Sequence, residues 1–362
     1  MNNHFIVDKL PTQLEIQITE KCGLNCDYCF VNKSCEQDLS TEKIKKALNH
    51  FFSLDIDKST ITFTTGEPYA NSGVFFDTLK ELLSKRNKID RIVSTTNGIF
   101  ITNDIINKIN DTDEIFTQNL SIDGKAASTD NHRKFINGDK SVFEKVWPRF
   151  KSITRNNRRI IYTITPDNAS KLVENITFFL DEGFYNIDIF PQMLVVWEKD
   201  SLEMLYMQLK QIPNLLNIYP NSNLRLLNRL WGRSHLNKLL LASDGNFYVF
   251  EFVLSLPYPK RKFFNVGNYL DGIDLHKRVF IFSQWIELFY SEKKFPCEKC
   301  SYHKICFPLP LFLYQQFTNK LSENYFKSFC LLAKMMIDAA TSINNINKNK
   351  IDIVKLDILE KN

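Results

Sequence analysis

Cys22, Cys26 and Cys29 stand within eight positions in a C-x3-C-x2-C pattern. A cube-shaped [4Fe–4S] cluster is normally held by four thiolates, one on each iron. Three thiols therefore leave one iron without a protein ligand, and an open iron can bind a small molecule. A zinc knuckle is the competing reading, but structural zinc usually takes four Cys/His ligands and no fourth is evident near the triplet. Three ordinary buried thiols are a further alternative, although so dense a group is hard to explain as packing.

A second group, Cys297, Cys300 and Cys306, is spaced C-x2-C-x5-C, with Cys330 farther on. This spacing fits iron as well as zinc, the latter with His303 as a further ligand. Cys330 sits in FKSFCLLAKMM, a helical apolar pattern in which a buried structural thiol is common. Cys35 belongs to neither group and reads as an ordinary thiol, or as a hydrogen donor near the site.

The elements that must position these residues follow from patterning. Leu14, Ile16 and Ile18 alternate with Glu15 and Gln17 in a strand leading into the first cysteines. Ser40-Thr41-Glu42 caps a helix to about Phe52. Strands are predicted over Ile61–Thr64, Arg91–Thr96, Gln118–Ile122, Ile160–Ile164 and Ile187–Phe190. Helices are predicted through Leu79 and Leu83, over Asn103–Ile109, from Ser141 and over Leu172–Leu180. About six strand–helix alternations argue for parallel βαβ units curling into a full or partial barrel, with ligands at the carboxyl ends of the strands. The cysteine loop, Thr65-Gly66-Glu67-Pro68, Asn97-Gly98 and Ser121-x-Asp123-Gly124 all fall there and define one mouth. Alternation stops near 212, residues 213–235 read as a linker or irregular helix, and Asp244-Gly245 marks a hairpin between β-prone runs.

Composition excludes several classes. A net charge of +5, from 46 Lys+Arg against 41 Asp+Glu, is too small and dispersed for a nucleic-acid partner. The start, MNNHFIVDKLPTQ, has no signal pattern, and no apolar run could span a bilayer. A cytoplasmic, soluble protein follows, in which clustered cysteines favour metal over disulfides.

Cys22, Cys26 and Cys29, with Tyr28 before the last, resemble the signature of radical S-adenosylmethionine (radical SAM) enzymes. The resemblance implies that the open iron chelates the amino and carboxylate groups of SAM, and that reductive cleavage yields a 5′-deoxyadenosyl radical which abstracts hydrogen from substrate. Thr65-Gly66-Glu67-Pro68 is similar to the family's Gly-Gly-Glu-Pro motif, with Thr65 in the first Gly position. It implies a largely backbone contact to the SAM amino group, with Glu67 as a further acceptor. The stretch from Leu120 to Gly124, followed by Asp130, Arg133 and Gly138, resembles the SPASM subgroup, and implies SAM contacts for Ser121 and Arg133. Asn97 and Asp123 join the implied SAM set. For Arg133 a solvent-facing helix position is the alternative.

The fold class implied is α/β, a partial (β/α)6 barrel over residues 1–212 with a cysteine-containing SPASM-like extension over 213–362. That extension normally holds two auxiliary [4Fe–4S] clusters. Phe250 stands where its hairpin cysteine is usual, and Pro310 where its distal cysteine is usual. Both departures remove ligands of the first auxiliary cluster, whereas Cys297, Cys300, Cys306 and Cys330 match the second, so one auxiliary cluster is expected. Glu251 follows Phe250, where related sulfatase maturases carry an acidic base. On the strand YVFEF, burial would raise its pKa; the alternative is an outward-facing strand residue.

The activity implied is modification of a ribosomally made peptide by crosslinking, epimerisation or oxidation. A small molecule or a folded protein such as a sulfatase is the alternative substrate, and a non-catalytic metal-stabilised binding module is the alternative class. An external flavodoxin- or ferredoxin-type donor is implied. With 21 residues before Cys22, leader recognition is expected from a separate protein, the C-terminal region or an exposed strand edge.

Overall fold

The computed structural model describes residues 10–33, 37–138, 140–226, 236–291, 297, 300–302, 306 and 308–346. Cys35 and His303 lie outside the described residues. The chain begins β1 (Gln13–Ile16), α1 (Thr41–Phe52), β2 (Ser59–Phe63), α2 (Ser72–Ser84), β3 (Ile89–Thr96), α3 (Asn103–Asn110) and β4 (Phe116–Ser121). It continues α4 (Ala126–His132), α5 (Val142–Lys151), β5 (Arg158–Ile164), α6 (Leu172–Asp181), β6 (Asn186–Pro191), α7 (Lys199–Leu209), α8 (Ile212–Ile218) and β7 (Asn223–Leu226). Then come β8 (Lys238–Leu241), β9 (Asn246–Tyr248), α9 (Tyr258–Arg261), β10 (Asn265–Asn268), β11 (Gly272–Ile273), α10 (Leu275–Ser291), α11 (Leu309–Thr318) and α12 (Glu323–Ile346).

Side-chain oxygens start the crossover helices. Ser40 caps α1 by accepting from Lys43 N, and Ser141 caps α5 by accepting from Glu144 N. Asp130 reinforces the second cap, accepting from Ser141 Oγ at 2.6 Å and Phe143 N at 2.9 Å.

Strands β1 to β7 pair in parallel and in chain order, and β8 adds in parallel to the free side of β1. Antiparallel β9, β10 and β11 extend that edge. Among the described residues no pairing joins β7 to β8, so the parallel strands form an open, partial barrel. One set of alternating side chains (Leu14, Ile16, Ile61, Phe63, Phe116, Leu120, Ile160) shares a continuous apolar core with helix residues such as Ile44, Leu48 and Phe75. The opposite set turns charge to the concave side, where buried Asp188 receives Arg159 Nη1 at 2.8 Å and Arg225 Nε at 2.7 Å.

Two expectations are corrected here. Of residues 213–235, expected as a linker or irregular helix, 213–218 lie in α8 and 223–226 form β7, so the alternation expected to stop near 212 continues to a seventh parallel strand. Glu251 is not on a strand; it opens a 3-10 turn, Glu251–Ser255. The expected Asp244-Gly245 hairpin does link β8 to β9, with Gly245 at φ +83° and Asp244 Oδ1 accepting from Asn246 N.

Candidate active site

A cavity of about 180 Å³ opens at the carboxyl ends of the parallel strands. Cys22, Cys26 and Cys29 line it together with Thr65, Gly66, Asn97, Ser121 and Arg133. Motifs spread over more than a hundred residues thus converge because parallel strands bring all their carboxyl ends to one rim.

The cysteine loop is held from two sides. Asn25 N donates to Lys134 O at 2.8 Å and Asp27 N to His132 O at 3.1 Å, tying it to the end of α4 and the residues just after it. Lys33 Nζ donates to Leu24 O at 2.8 Å. Burial pushes the Cys26 thiol up to about 12, opposed by the charge of Arg133, and burial also raises Cys22. Free, these thiols keep their protons at neutral pH, so taking up a metal must release them.

The segment after β2 turns through left-handed backbone at Thr65 (φ +60°) and Gly66 (φ +71°). A Cβ on Gly66 would lie 2.0 Å from Thr19 O, so only glycine fits. Thr65 occupies the same region with a branched side chain, a strained choice for a non-glycine residue.

Glu67, Pro68 and Asp123 do not line the cavity. Glu67 is fully buried: Oε1 accepts from Thr96 Oγ1 at 2.7 Å and Tyr69 N at 3.2 Å, and Oε2 from Asn97 N at 2.7 Å. Burial lifts its carboxyl to about 7 despite these donors. Its acceptors are therefore turned into the protein, where they brace the end of β3. Asp123, also fully buried, is engaged by Arg133 Nε (2.9 Å) and Nη2 (3.0 Å), by Thr163 N (3.0 Å) and by the Tyr28 hydroxyl.

Arg133 is buried rather than solvent-facing, packs over the Tyr28 ring at 5.4 Å, and reaches the cavity wall. Asp123 thus sets the orientation of Arg133. Tyr28 was singled out beside Cys29, but its bond to Asp123 was not foreseeable, and the cavity-lining loop Gln192-Met193-Leu194 carried no sequence signal.

Glu251 is not among the cavity-lining residues. Its carboxylate is buried and receives Lys238 Nζ at 2.8 Å, while the same ammonium donates to Glu15 at 2.9 Å.

In the C-terminal part, α12 carries Cys330 toward Cys297, Cys300 and Cys306. Burial pushes Cys297 and Cys306 up to about 12, with the neighbouring thiols Cys300 and Cys330 adding to the shift, and burial also raises Cys330. An all-thiol donor set suits an iron–sulfur cluster or zinc. Among the described residues no three His, Cys, Asp or Glu converge to hold a single metal ion. At the two departures from the SPASM pattern, Phe250 is buried and stacks on Phe282 at 5.9 Å, and Pro310 is buried in the first turn of α11.

Residues 16–179 match the family model described as the radical SAM superfamily. Over those residues, just under half of the chain, it is similar to the radical SAM superfamily. An uncharacterized protein of Methanocaldococcus jannaschii is 26% identical over 216 residues, covering 57% of this chain and 72% of that one. Molybdenum cofactor biosynthesis protein 1 of Dictyostelium discoideum is 33% identical over 96 residues, which are 25% of this chain and 15% of that relative's length. The structure of anSMEcpe with bound AdoMet and Cp18Cys peptide superposes with a TM-score of 0.70 at 20% identity, covering 93% of this chain and 99% of that one. Streptococcus suis SuiB bound to precursor peptide SuiA gives 0.55 at 15% identity, with coverage of 83% and 72%. Over 93% of its length the chain thus shares its fold with anSMEcpe. No helix among the described residues is long and apolar enough to cross a membrane.

Proposed function

We propose that this protein cleaves SAM reductively and modifies a ribosomally synthesised peptide, using one open-iron [4Fe–4S] cluster on Cys22, Cys26 and Cys29. One auxiliary cluster on Cys297, Cys300, Cys306 and Cys330 and an external flavodoxin- or ferredoxin-type donor complete the reading. The observation that carries it is that Cys22, Cys26 and Cys29, Thr65 and Gly66, and an oriented Arg133 line a single cavity. The donor set fits the cluster: three thiols supply three ligands and leave one iron for SAM. When bound, cluster and SAM supply reductive cleavage and hydrogen abstraction.

The chain's own residues then bind and orient. Backbone groups at Thr65 and Gly66 would hold the SAM amino group, and Arg133, held by Asp123, would take the SAM carboxylate. Ser121 lies on the wall for a ribose hydroxyl. Peptides bound in the anSMEcpe and SuiB structures support a peptide substrate here. Leader capture by a separate protein belongs to the same reading.

The test uses anaerobically purified protein reduced with dithionite and given SAM and the precursor peptide encoded beside its gene. Release of 5′-deoxyadenosine with a change in peptide mass is expected. Deoxyadenosine without any peptide product would point to a small molecule or folded protein as substrate. Zinc at both cysteine groups, with no cleavage, would leave a metal-stabilised binding module.

A further inference from the structure

The side chain of Asn97 donates from Nδ2 to Cys22 Sγ at 3.2 Å. Its neighbours settle which amide atom faces the sulfur. Ile99 N–H can only donate, and it points at the other amide atom from 3.0 Å, which must therefore be Oδ1. Nδ2 is left facing Cys22.

The amide is also fixed in place. Asn97 N donates to Glu67 Oε2 at 2.7 Å, Thr96 Oγ1 to Glu67 Oε1 at 2.7 Å, and Gly98 N to Thr96 Oγ1 at 3.0 Å. Gly98 has φ +83°, and a Cβ there would meet Phe150 at 2.4 Å. The turn after β3 thus has a buried carboxylate on one side and a packed ring on the other. Asn97 itself is 8% exposed.

We infer that Asn97 is a positioning residue that tunes the redox poise of the amino-terminal cluster through its N–H···S bond to Cys22, and that Glu67 acts through it by holding the turn. The inference rests on Cys22 being a cluster ligand. Reduction adds one negative charge to a cluster, and a donor aimed at a ligating sulfur stabilises that charge, so the bond raises the potential and eases reduction. Contact of Asn97 with SAM, as the family resemblance implies, would not by itself move the potential when SAM is absent.

Two measurements test this without SAM. In holoenzyme labelled with 15N-asparagine, pulsed electron paramagnetic resonance of the reduced cluster should show 15N modulation. Asn97→Asp keeps the acceptor for Ile99 N and replaces the donor with a repelling oxygen. With iron still at the roughly eight atoms per chain of two clusters, the reduced-to-oxidised ratio of its amino-terminal cluster at fixed potential should fall about tenfold, or about 59 mV for one electron. An unlabelled spectrum identical to the 15N one, or an unchanged potential in Asn97→Asp, would overturn the inference. If the variant loses its iron, the labelled wild-type protein alone decides. No iron–sulfur signal in wild type would overturn the underlying assignment of Cys22 instead, and the inference with it.

Discussion

Arg133 and Asp123 form a two-point ion pair, Nε to Oδ2 at 2.9 Å and Nη2 to Oδ1 at 3.0 Å, with both side chains almost shut off from solvent. A buried carboxylate stripped of its partner is costly. Arg133→Met should therefore destabilise the fold by about 3–5 kcal/mol, read from denaturant unfolding. Asp123→Asn should cost less, but it releases the guanidinium and should weaken SAM binding in calorimetry. Wild-type stability in Arg133→Met would show that the pair does not brace the site.

Thr65 is the residue most at odds with its backbone. At φ +60° its branched side chain is strained by about 1–3 kcal/mol, a cost glycine does not carry. Thr65→Gly should raise the unfolding midpoint, and Gly66→Ala should lower it because the new Cβ meets Thr19 O. A lower midpoint for Thr65→Gly would mean that the Thr65 Oγ1 bond to Thr64 O, at 2.6 Å, outweighs the strain.

The two cysteine groups should separate by iron content. Cys26→Ala should end SAM cleavage and leave the C-terminal cluster intact. Cys300→Ala should lower iron from roughly eight to roughly four atoms per chain, with some loss of solubility. Unchanged iron in Cys300→Ala would remove the auxiliary cluster from the scheme.

Glu67 gives a pH signature. Its carboxyl titrates near 7 in the fold against an unperturbed 4.5, because burial penalises its charge. A pKa raised by folding gives a stability contribution that is complete below 4.5 and is lost as pH rises through 7. Relative to Glu67→Gln, the wild type should lose about 3 kcal/mol over that window. Parallel stability–pH curves for the two proteins would refute the shift.

Much of the fold was legible in the sequence where period and caps agree. The helix predicted over Asn103–Ile109 is Asn103–Asn110, Ser40 caps where expected, and the helix predicted from Ser141 begins at Val142 with Ser141 as its cap. Strand β7 was not legible: in Asn223-Leu224-Arg225-Leu226 two leucines are too few for a period, and its place is fixed by the pairing of Arg225 with Asp188. The rim of the site could be read from motifs at strand ends. Which way each carboxylate turns could not, since Glu67 and Asp123 are claimed by Asn97 and Arg133, residues 30 and 10 positions away. Likewise the environment of Glu251 depends on Lys238, which only the β8–β1 pairing brings beside Glu15.

That pairing has a consequence for biogenesis. In register, Gln13 faces Lys238 and Ile16 faces Leu241, so β1 is flanked on one side by a strand made more than two hundred residues later. Contacts of such long sequence separation form late and slowly. Until translation has passed Leu241, β1 and the cysteine loop that follows it therefore lack one of the two strands that flank β1.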